Sequence, residues 1–420
     1  MLTDTQRKMA SIQEIATLSP IENSDFLEVA TMKNLGWKVV VKKGEFKPGD
    51  KVVYFEIDSA INVKNLPWPL QFLKDKGTKK LFTGRTPDTS AFSEEYVHIK
   101  TIKLRGQVSQ GLIVEWDKPL CEDPNTHETR WMADYISPAD MDIPENFRGI
   151  EVGFDLTKAF HVEVWDRLRE WFDERSQLGP RAQMHSAGDF PSDVPKTDEE
   201  RVQSAYSDLI KDPANVDGEW EVTEKNDGSS CTLFYRPLVW PDDPMRIASR
   251  KFLLKDDGFS DDWFAAFKKI GWDKIKSRLE GIYKHGLNAD WDDCGPRLHY
   301  NGGHELAIQG EMIGAKFNGN RDKNTENHFR VFRIFDITDQ KFVCPKIRYE
   351  ICQHLGLEHV KVIETCQIFH KLKTVDDFIA YADGVTDNGN PREGVVFKRV
   401  DDGSVSFKSV SNKYLLKNGD

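Results

Sequence analysis

The stretch TEKNDGSSC, from Thr223 to Cys231, sets one lysine two residues ahead of an Asp-Gly pair. An Asp-Gly dipeptide between apolar runs is a strong hairpin signal. The preceding GEWEVTEK then reads as an alternating strand with Trp220, Val222 and Glu224 on one face, and CTLFYR as its return strand. A charged residue near a hairpin tip needs no function, so Lys225 alone decides nothing. The residues downstream of it, taken in order, do. SRK puts Arg250 at a strand end, and IQGEMIGAKF puts Glu311 after a glycine on an apolar strand. FRVFRIFDI carries Phe332 and Phe335, expected on opposite faces because three positions along a strand reverse the face. REGVVFK gives Glu393 before a glycine and Lys398 at the strand's end, and SFKSVSNKYLLK gives Lys408 and Lys413. Each has an ordinary reading as a strand edge or solvated surface; the ordered set is what carries weight.

Around this set the second half of the chain reads as mixed α and β with a largely antiparallel sheet. A helix is expected near Glu199–Leu209, and strands at Leu306–Ile313, Phe329–Ile337, Gly394–Val400 and Val405–Lys408. Residues 259–285 have helical period, with Trp263, Phe267, Ile270 and Ile275 as an apolar stripe that reads as core packing. The first third is β-rich. Trp37–Lys42 and Lys51–Ile57 are strand-like runs separated by Gly44–Asp50, and Ile99, Ile102 and Leu104 alternate ahead of a strand at Leu112–Trp116. Short strands with glycine corners suggest a small β-barrel. The polar stretches 62–95 and 120–146 read as its loops. The expected division is a barrel domain at 1–165, a Pro/Gly/Ser- and charge-rich linker or extended arm at 166–198, and a second domain at 199–420 with a helical insert near 256–295.

Composition bounds the class. A length of 420 residues favours two domains. Lysine and arginine total 58 against 69 acidic residues, a formal net charge of −11, which argues against non-specific coating of nucleic acid but not against an enzyme with a local basic patch. The 6 cysteines form no CxxC pair, so reduced thiols in a cytoplasmic protein are expected. MLTDTQRKMASI has no apolar core of a secretory signal, and no run approaches the roughly 20 residues of a membrane span.

Lys225-Asn226-Asp227-Gly228, Arg250, Gly310-Glu311, Phe332–Ile337, Glu393–Val396 and Lys408 resemble motifs I, Ia, III, IIIa, IV and V of the covalent nucleotidyltransferases, the superfamily of ATP-dependent RNA and DNA ligases and mRNA capping enzymes. DNA ligases and capping enzymes carry an OB domain after motif V. Here the barrel candidate precedes motif I, and GWKVVVKKGEFKPGDKVVYFEIDS, LRGQVSQGL and FPSDVPKTDEERVQ resemble the Deinococcus-type RNA ligase branch with its N-terminal OB module. The fold class this implies is α+β, an OB-like barrel followed by an adenylation domain.

The resemblance implies ATP and Mg²⁺ or Mn²⁺ as cofactors, and a nucleic acid with a break, RNA or an RNA-containing duplex, as partner. Lys225 is the implied nucleophile; lysine suits the task because a neutral amine attacks phosphorus and forms a labile P–N bond. A bound metal and Lys408 are expected to lower its pKa. Asp227 and Glu393 are implied near the metal, Glu311 at the ribose hydroxyls, Arg250 at the ribose and lysyl-phosphate, and Phe332 against adenine. Glu224 at the adenine edge, Gly228 in the nucleotide-binding turn, and Lys398 and Lys413 on phosphate complete the nucleotide set. In the barrel, Lys42, Lys43, Lys79, Lys80, Arg85, Lys103 and Arg105 are candidate nucleic-acid contacts, each more simply solvated surface. A monomer is expected, since one chain holds the whole set. The alternatives are a DNA ligase of unusual domain order, an inactive OB-containing binding protein, and a GTP-using guanylyltransferase.

Overall fold

The strand Trp220–Lys225 does not fold back on Ser229–Tyr235. In this computed structural model, which describes residues 7–33, 35–66, 68–75, 78–82, 93–116, 150–175, 186–196, 198–258, 260–289 and 298–418, the two strands lie in different sheets. Trp220–Lys225 pairs antiparallel with Gly394–Arg399 and Val362–Cys366. Ser229–Tyr235 pairs with Met245–Ser249 and Leu306–Ile313. The expected hairpin is therefore a crossover from one sheet to the other. Gly228 serves it by size rather than by turn geometry: a side-chain carbon there would meet the Met312 carbonyl oxygen at 2.2 Å and Glu311 Cγ at 2.9 Å.

The chain divides into two compact units, Arg181–Tyr414 and Leu2–Pro180, the second joined by Leu415–Asp420. In the first unit a five-stranded sheet runs in the order Glu200–Arg201, Ser406–Val410, Gly394–Arg399, Trp220–Lys225, Val362–Cys366. An eight-stranded sheet runs Ser186–Asp189, Phe252–Leu254, Met245–Ser249, Ser229–Tyr235, Leu306–Ile313, His328–Asp336, Lys341–Phe342, with Glu358–His359 parallel to His328–Asp336. Alternation decides what each face does. Trp220, Val222, Phe397 and Phe407 pack against Val202, Phe369 and Phe378 of the backing helices. Thr223 and Lys225, with the opposite parity, face the other way. Helices Asp261–Ile270, Trp272–His285 and Pro345–Leu355 cover the larger sheet, with Phe267, Ile275 and Ile351 in one core with Leu233, Ile308 and Ile334.

One irregularity bears on the site. Gln309 opposes Arg333 and Gly310 opposes Val331, so Phe332 is an extra residue, a β-bulge. Val331 and Ile334, three apart, consequently share one core cluster, and Phe335 is buried in another with Phe234 and Ala307. The expectation of opposite faces for Phe332 and Phe335 assumed unbroken alternation, which the bulge removes.

In the second unit the strands form sheets ordered Leu112–Glu115, Lys51–Phe55, Ala10–Pro20, Leu27–Met32, Lys38–Lys42 and Val162–Val164, Ser59–Asn62, Ser93–His98, Thr78–Phe82. The Gln110 N–H donates to Lys38 O (2.8 Å) and the Val40 N–H to Ser109 Oγ, which brings the chain entering the first strand of the larger sheet back onto its last. Both faces of Lys51–Phe55 are covered, Val53 and Phe55 in one core and Val52 and Tyr54 in another. The polar stretch 62–95 is more than a loop: it carries Trp68–Asp75 as a 3-10 helix and the strand Thr78–Phe82. The stretch 120–146 and Arg85 lie outside the described residues.

The expected linker at 166–198 carries secondary structure. Trp165–Arg175 is a helix whose Trp165, Leu168 and Phe172 pack with Ala60 and Tyr96; its charged outer face hid the apolar spacing in the sequence. Ser186–Asp189 is the edge strand paired with Phe252–Leu254. Among the described residues no helix is long and apolar enough to cross a membrane.

The sheet faces also bury an ion pair. Arg348 Nη2 donates to Glu221 Oε2, with the two side chains only 3% and 7% exposed. Burial pushes the Glu221 carboxyl up, and Arg348 and Lys398 together outweigh it and hold it below the usual range. Glu221→Gln is expected to cost about 3 kcal/mol or more of stability near neutral pH, because it leaves the guanidinium charge buried without its counter-charge. The folded pKa is the lower one, so the contribution is present above the ordinary value of 4.5 and is lost as pH falls through the folded value. Urea unfolding of both proteins across that range checks it: a gap independent of pH would refute the ion-pair account.

Candidate active site

Lys225 ends its strand opposite Gly394, with the crossover to the larger sheet immediately after it. Its Nζ donates to Glu393 Oε1 at 2.6 Å, and both side chains are largely buried. Burial alone pushes the amine down, but the Glu393 and Glu311 carboxylates and the hydrogen bond to Glu393 outweigh it and hold Lys225 above the ordinary lysine range. Lys408, expected together with a bound metal to lower this pKa, is paired elsewhere. Lys408 Nζ is instead occupied by Asp198 Oδ1 at 2.9 Å.

Glu311 is brought beside Lys225 by the neighbouring sheet. Gly310 permits this, since a side-chain carbon there would lie 2.6 Å from the Arg330 carbonyl oxygen. Burial pushes the Glu311 carboxyl up to about 8, with Lys225 opposing and Glu393 and Asp227 adding to the rise. Glu393 Oε2 is buried and has no hydrogen-bond partner among the described residues. Lys225, Asp227, Glu224 and Glu393 line one pocket, together with Arg321 and Tyr414.

Asp227 is only 7% exposed and is fully engaged. It accepts from Asn318 Nδ2, from Arg321 Nη1 (3.3 and 3.4 Å) and from Tyr414 Oη (2.5 Å). Of the two carboxylates expected near a metal, Glu393 therefore has an open oxygen and Asp227 has none. Among the described residues neither belongs to a group of three donor side chains with ligand atoms within 4.8 Å of one another.

A second group surrounds Asp198. Its carboxylate receives Lys408 Nζ and, at 3.4 Å, Arg250 Nη2. Burial raises its pKa, but Lys408, Arg250 and Lys225 together hold it well below the usual range. Both cations lie in motifs, and the acid between them does not. The only signal for it was its place in the charged run ahead of the domain. Glu199, next in the chain, lies 3.8 Å from Arg333 Nη2.

Phe332 is half-buried at the bulge, with Lys398 Nζ donating to its carbonyl oxygen at 2.9 Å and lying 5.6 Å from its ring centroid. Lys398 is fully buried, and burial together with Arg348 and Arg333 lowers its amine to about 7. Glu224 is buried and its carboxyl raised, by burial first and then by Asp387; Asn226 Nδ2 donates to it at 3.2 Å. Gly228 packs against the Glu311 strand and is not a lining residue. Lys413 does not join the group: it is 72% exposed and pairs with Asp383. Arg321 and Tyr414 were missed because neither lies in a motif.

The two sheets, the crossover lysine and its carboxylates are the frame of a covalent nucleotidyltransferase. A family model described as RNA ligase matches residues 218–414, and one described as an OB-fold domain matches residues 9–116. Residues 218–414 are thus an RNA ligase domain by that match, and it follows an N-terminal OB-fold domain. It is similar along its length to solved structures of Naegleria gruberi RNA ligase. A lysine-to-methionine mutant with AMP and Mn is 28% identical, with a TM-score of 0.67 over 99% of this chain and 100% of that one. A lysine-to-alanine mutant with ATP and Mn is 27% identical, with a TM-score of 0.66 over 98% and 99%. The same enzyme with PPi is 28% identical, with a TM-score of 0.64 over 98% and 99%. No curated protein matched the chain.

Proposed function

We propose that the protein uses ATP to seal a 5′-phosphate and a 3′-hydroxyl at a break in RNA or an RNA-containing duplex. The observation that carries this reading is Lys225 Nζ held on Glu393 in a cavity built by both sheets. The ATP, AMP, Mn and PPi named for the Naegleria structures support it.

Lys225, once deprotonated, attacks the α-phosphorus of ATP. A P–N bond forms, the bond from the α-phosphorus to the bridging oxygen breaks, and pyrophosphate leaves with that electron pair. The lysyl-AMP then passes AMP to a 5′-phosphate, and a 3′-hydroxyl attacks the adenylylated end, loses its proton and releases AMP. Glu393, with an open oxygen, is the residue fitted to hold a divalent cation, Mg²⁺ or Mn²⁺. When bound, that cation supplies positive charge beside the phosphates. Arg250 and Lys408 meet the phosphate, which competes with the Asp198 carboxylate for the same two cations. Glu311 takes a ribose hydroxyl, Phe332 stacks on adenine and Glu224 borders the base; Lys398, buried on the Phe332 carbonyl, backs that ring rather than meeting phosphate as the resemblance implied. Asp227 contributes through its position rather than as a metal ligand. One chain carries all these groups, so a monomer suffices. The free cysteines Cys231, Cys344, Cys352 and Cys366 suit a reducing compartment such as the cytoplasm.

The test begins with protein stripped of bound AMP, given α-labelled ATP and Mg²⁺ or Mn²⁺. Label should survive denaturation and move onto a 5′-phosphorylated RNA. The enzyme should then seal a nick with ribonucleotides on the 3′-hydroxyl side faster than an all-deoxynucleotide nick. Absence of label overturns the reading, and sealing confined to DNA ends makes the protein a DNA ligase.

A further inference from the structure

The crossover Asn226–Gly228 carries the nucleophile's end of one strand into the other sheet, and it is held from outside by a clamp that no motif contains. Asp227 is the point it grips. Arg321 Nη1 donates to both Asp227 oxygens and, at 2.8 Å, to Tyr414 Oη, while Tyr414 Oη donates to Asp227 Oδ2 at 2.5 Å. The guanidinium carbon lies 5.9 Å from the Tyr414 ring centroid, so the two clamp residues also hold each other.

Both jaws are themselves anchored. Arg321 sits between Asn320 and Asp322 in the loop that follows the Glu311 strand. Asn320 Oδ1 accepts from the Asn324 N–H and its Nδ2 donates to the Asn324 carbonyl, each at 2.8 Å. Asp322 accepts from Thr386 Oγ1, Asn388 Nδ2 and Asn390 Nδ2 of the loop leading to Glu393. Asn318, Asn320 and Lys323 hold positive φ angles of 41°, 47° and 60°, a strained backbone that persists only where its surroundings over-determine it. On the other jaw, the Tyr414 N–H donates to Ser411 Oγ, which donates to Asp383 at 2.7 Å. The loops behind Glu311 and Glu393 are thus tied together through Asp322, and the residue next to that knot grips the turn behind Lys225.

We propose that Arg321 and Tyr414 are positioning residues that aim Lys225 by fixing Asp227. The inference rests on Lys225 being the adenylated lysine. A nucleophile misplaced by about 1 Å loses on the order of a hundredfold in rate, and among the described residues the crossover is held by the clamp and by Asn318 on Asp227 rather than by a hairpin partner.

The experiment is single-turnover formation of labelled lysyl-AMP from α-labelled ATP by the full chain, followed for hours so that slow transfer is read. Wild-type protein comes first: if it takes no label, the proposed function falls and the clamp is not at issue. Given labelling, Arg321→Ala should slow transfer at saturating ATP by about a hundredfold, with Arg321→Lys recovering part of the loss and Tyr414→Phe slowing it by about tenfold or less. Half-saturation for ATP should move little, because the clamp grips the enzyme rather than the nucleotide. Arg321→Ala placed on Asp227→Ala should add no further loss, since residues acting through one group are non-additive. Full additivity, a loss confined to ATP half-saturation, or wild-type rates in both Arg321→Ala and Tyr414→Phe would each overturn the proposal. If Arg321→Ala fails to fold by circular dichroism, Tyr414→Phe and Arg321→Lys, which keep the packing, decide by the same rates.

Discussion

Lys225→Ala abolishes covalent labelling by ATP and ATP-dependent sealing, a loss of about 10⁴-fold or more, while sealing of an RNA already carrying a 5′-adenylyl group continues. The split has a chemical cause. Only the first two steps use the lysine as carrier. The third needs the end-joining geometry and the surrounding charges, which Lys225→Ala leaves in place. Removing the amine also leaves Glu393 without the cation that its Oε1 now accepts from, so the variant gains a buried unpaired carboxylate. A modest drop in thermal stability is therefore expected and is to be measured beside the rates. Gel analysis of label on the protein, and of product from ATP against product from pre-adenylylated RNA, separates the steps. Label persisting on Lys225→Ala protein would assign the nucleophile elsewhere. Equal loss of sealing from both substrates would mean that the substitution disturbs the whole site.

Glu393→Gln should slow lysyl-AMP formation by about a thousandfold, and it should slow sealing of the pre-adenylylated end as well. Two effects of the carboxylate oppose each other here. Glu393 is the strongest of the charges holding Lys225 above the ordinary range, so its removal lets burial draw the amine down and leaves more of it neutral near pH 7. On that effect alone the variant would be faster. The open Oε2 points the other way, since it is the group fitted to a divalent cation. The expected result is a large net loss with a pH–rate profile displaced toward lower pH: in wild type the rate rises with pH as a high-pKa amine loses its proton, and in the variant that rise begins earlier. Single-turnover labelling across pH, with and without chelator, reads both. An unshifted profile would refute the charge argument for Lys225, and an undiminished rate would refute the role assigned to Oε2.

The motif residues were legible because each is a chemical type that the reaction requires at a fixed place in the order. Lys225, Glu311 and Glu393 do converge, from two sheets. Their surroundings were less legible. Asp227-Gly228 has the composition of a hairpin, and short-range signals do not say which strands a segment will pair with. Only the long-range ladder to Gly394–Arg399 and Leu306–Ile313 separates the two strands. Asp198 could not be picked from a run of charges, because its role is set by the convergence of Arg250 and Lys408. Arg321 lay in plain view in NGNRDKN, a run of turn-forming residues around one arginine, yet nothing in that run encodes its distance to Asp227. The helical period of residues 259–285 was visible, and Phe267 and Ile275 are in the core it predicts.

The extra residue at Phe332 divides its strand into two segments whose side-chain parity is out of phase. Residues before and after it cannot be matched to a regular strand by one continuous count. A chimaera that exchanges this strand with another ligase will keep Phe332 and Arg333 in working order only if both joints fall on the same side of Phe332, or if the donor carries the same extra residue. Joints that straddle it with a regular donor strand would turn the Arg333 guanidinium into the apolar layer occupied by Ile308 and Ile334, and the hybrid would fail in its core before its chemistry could be assayed.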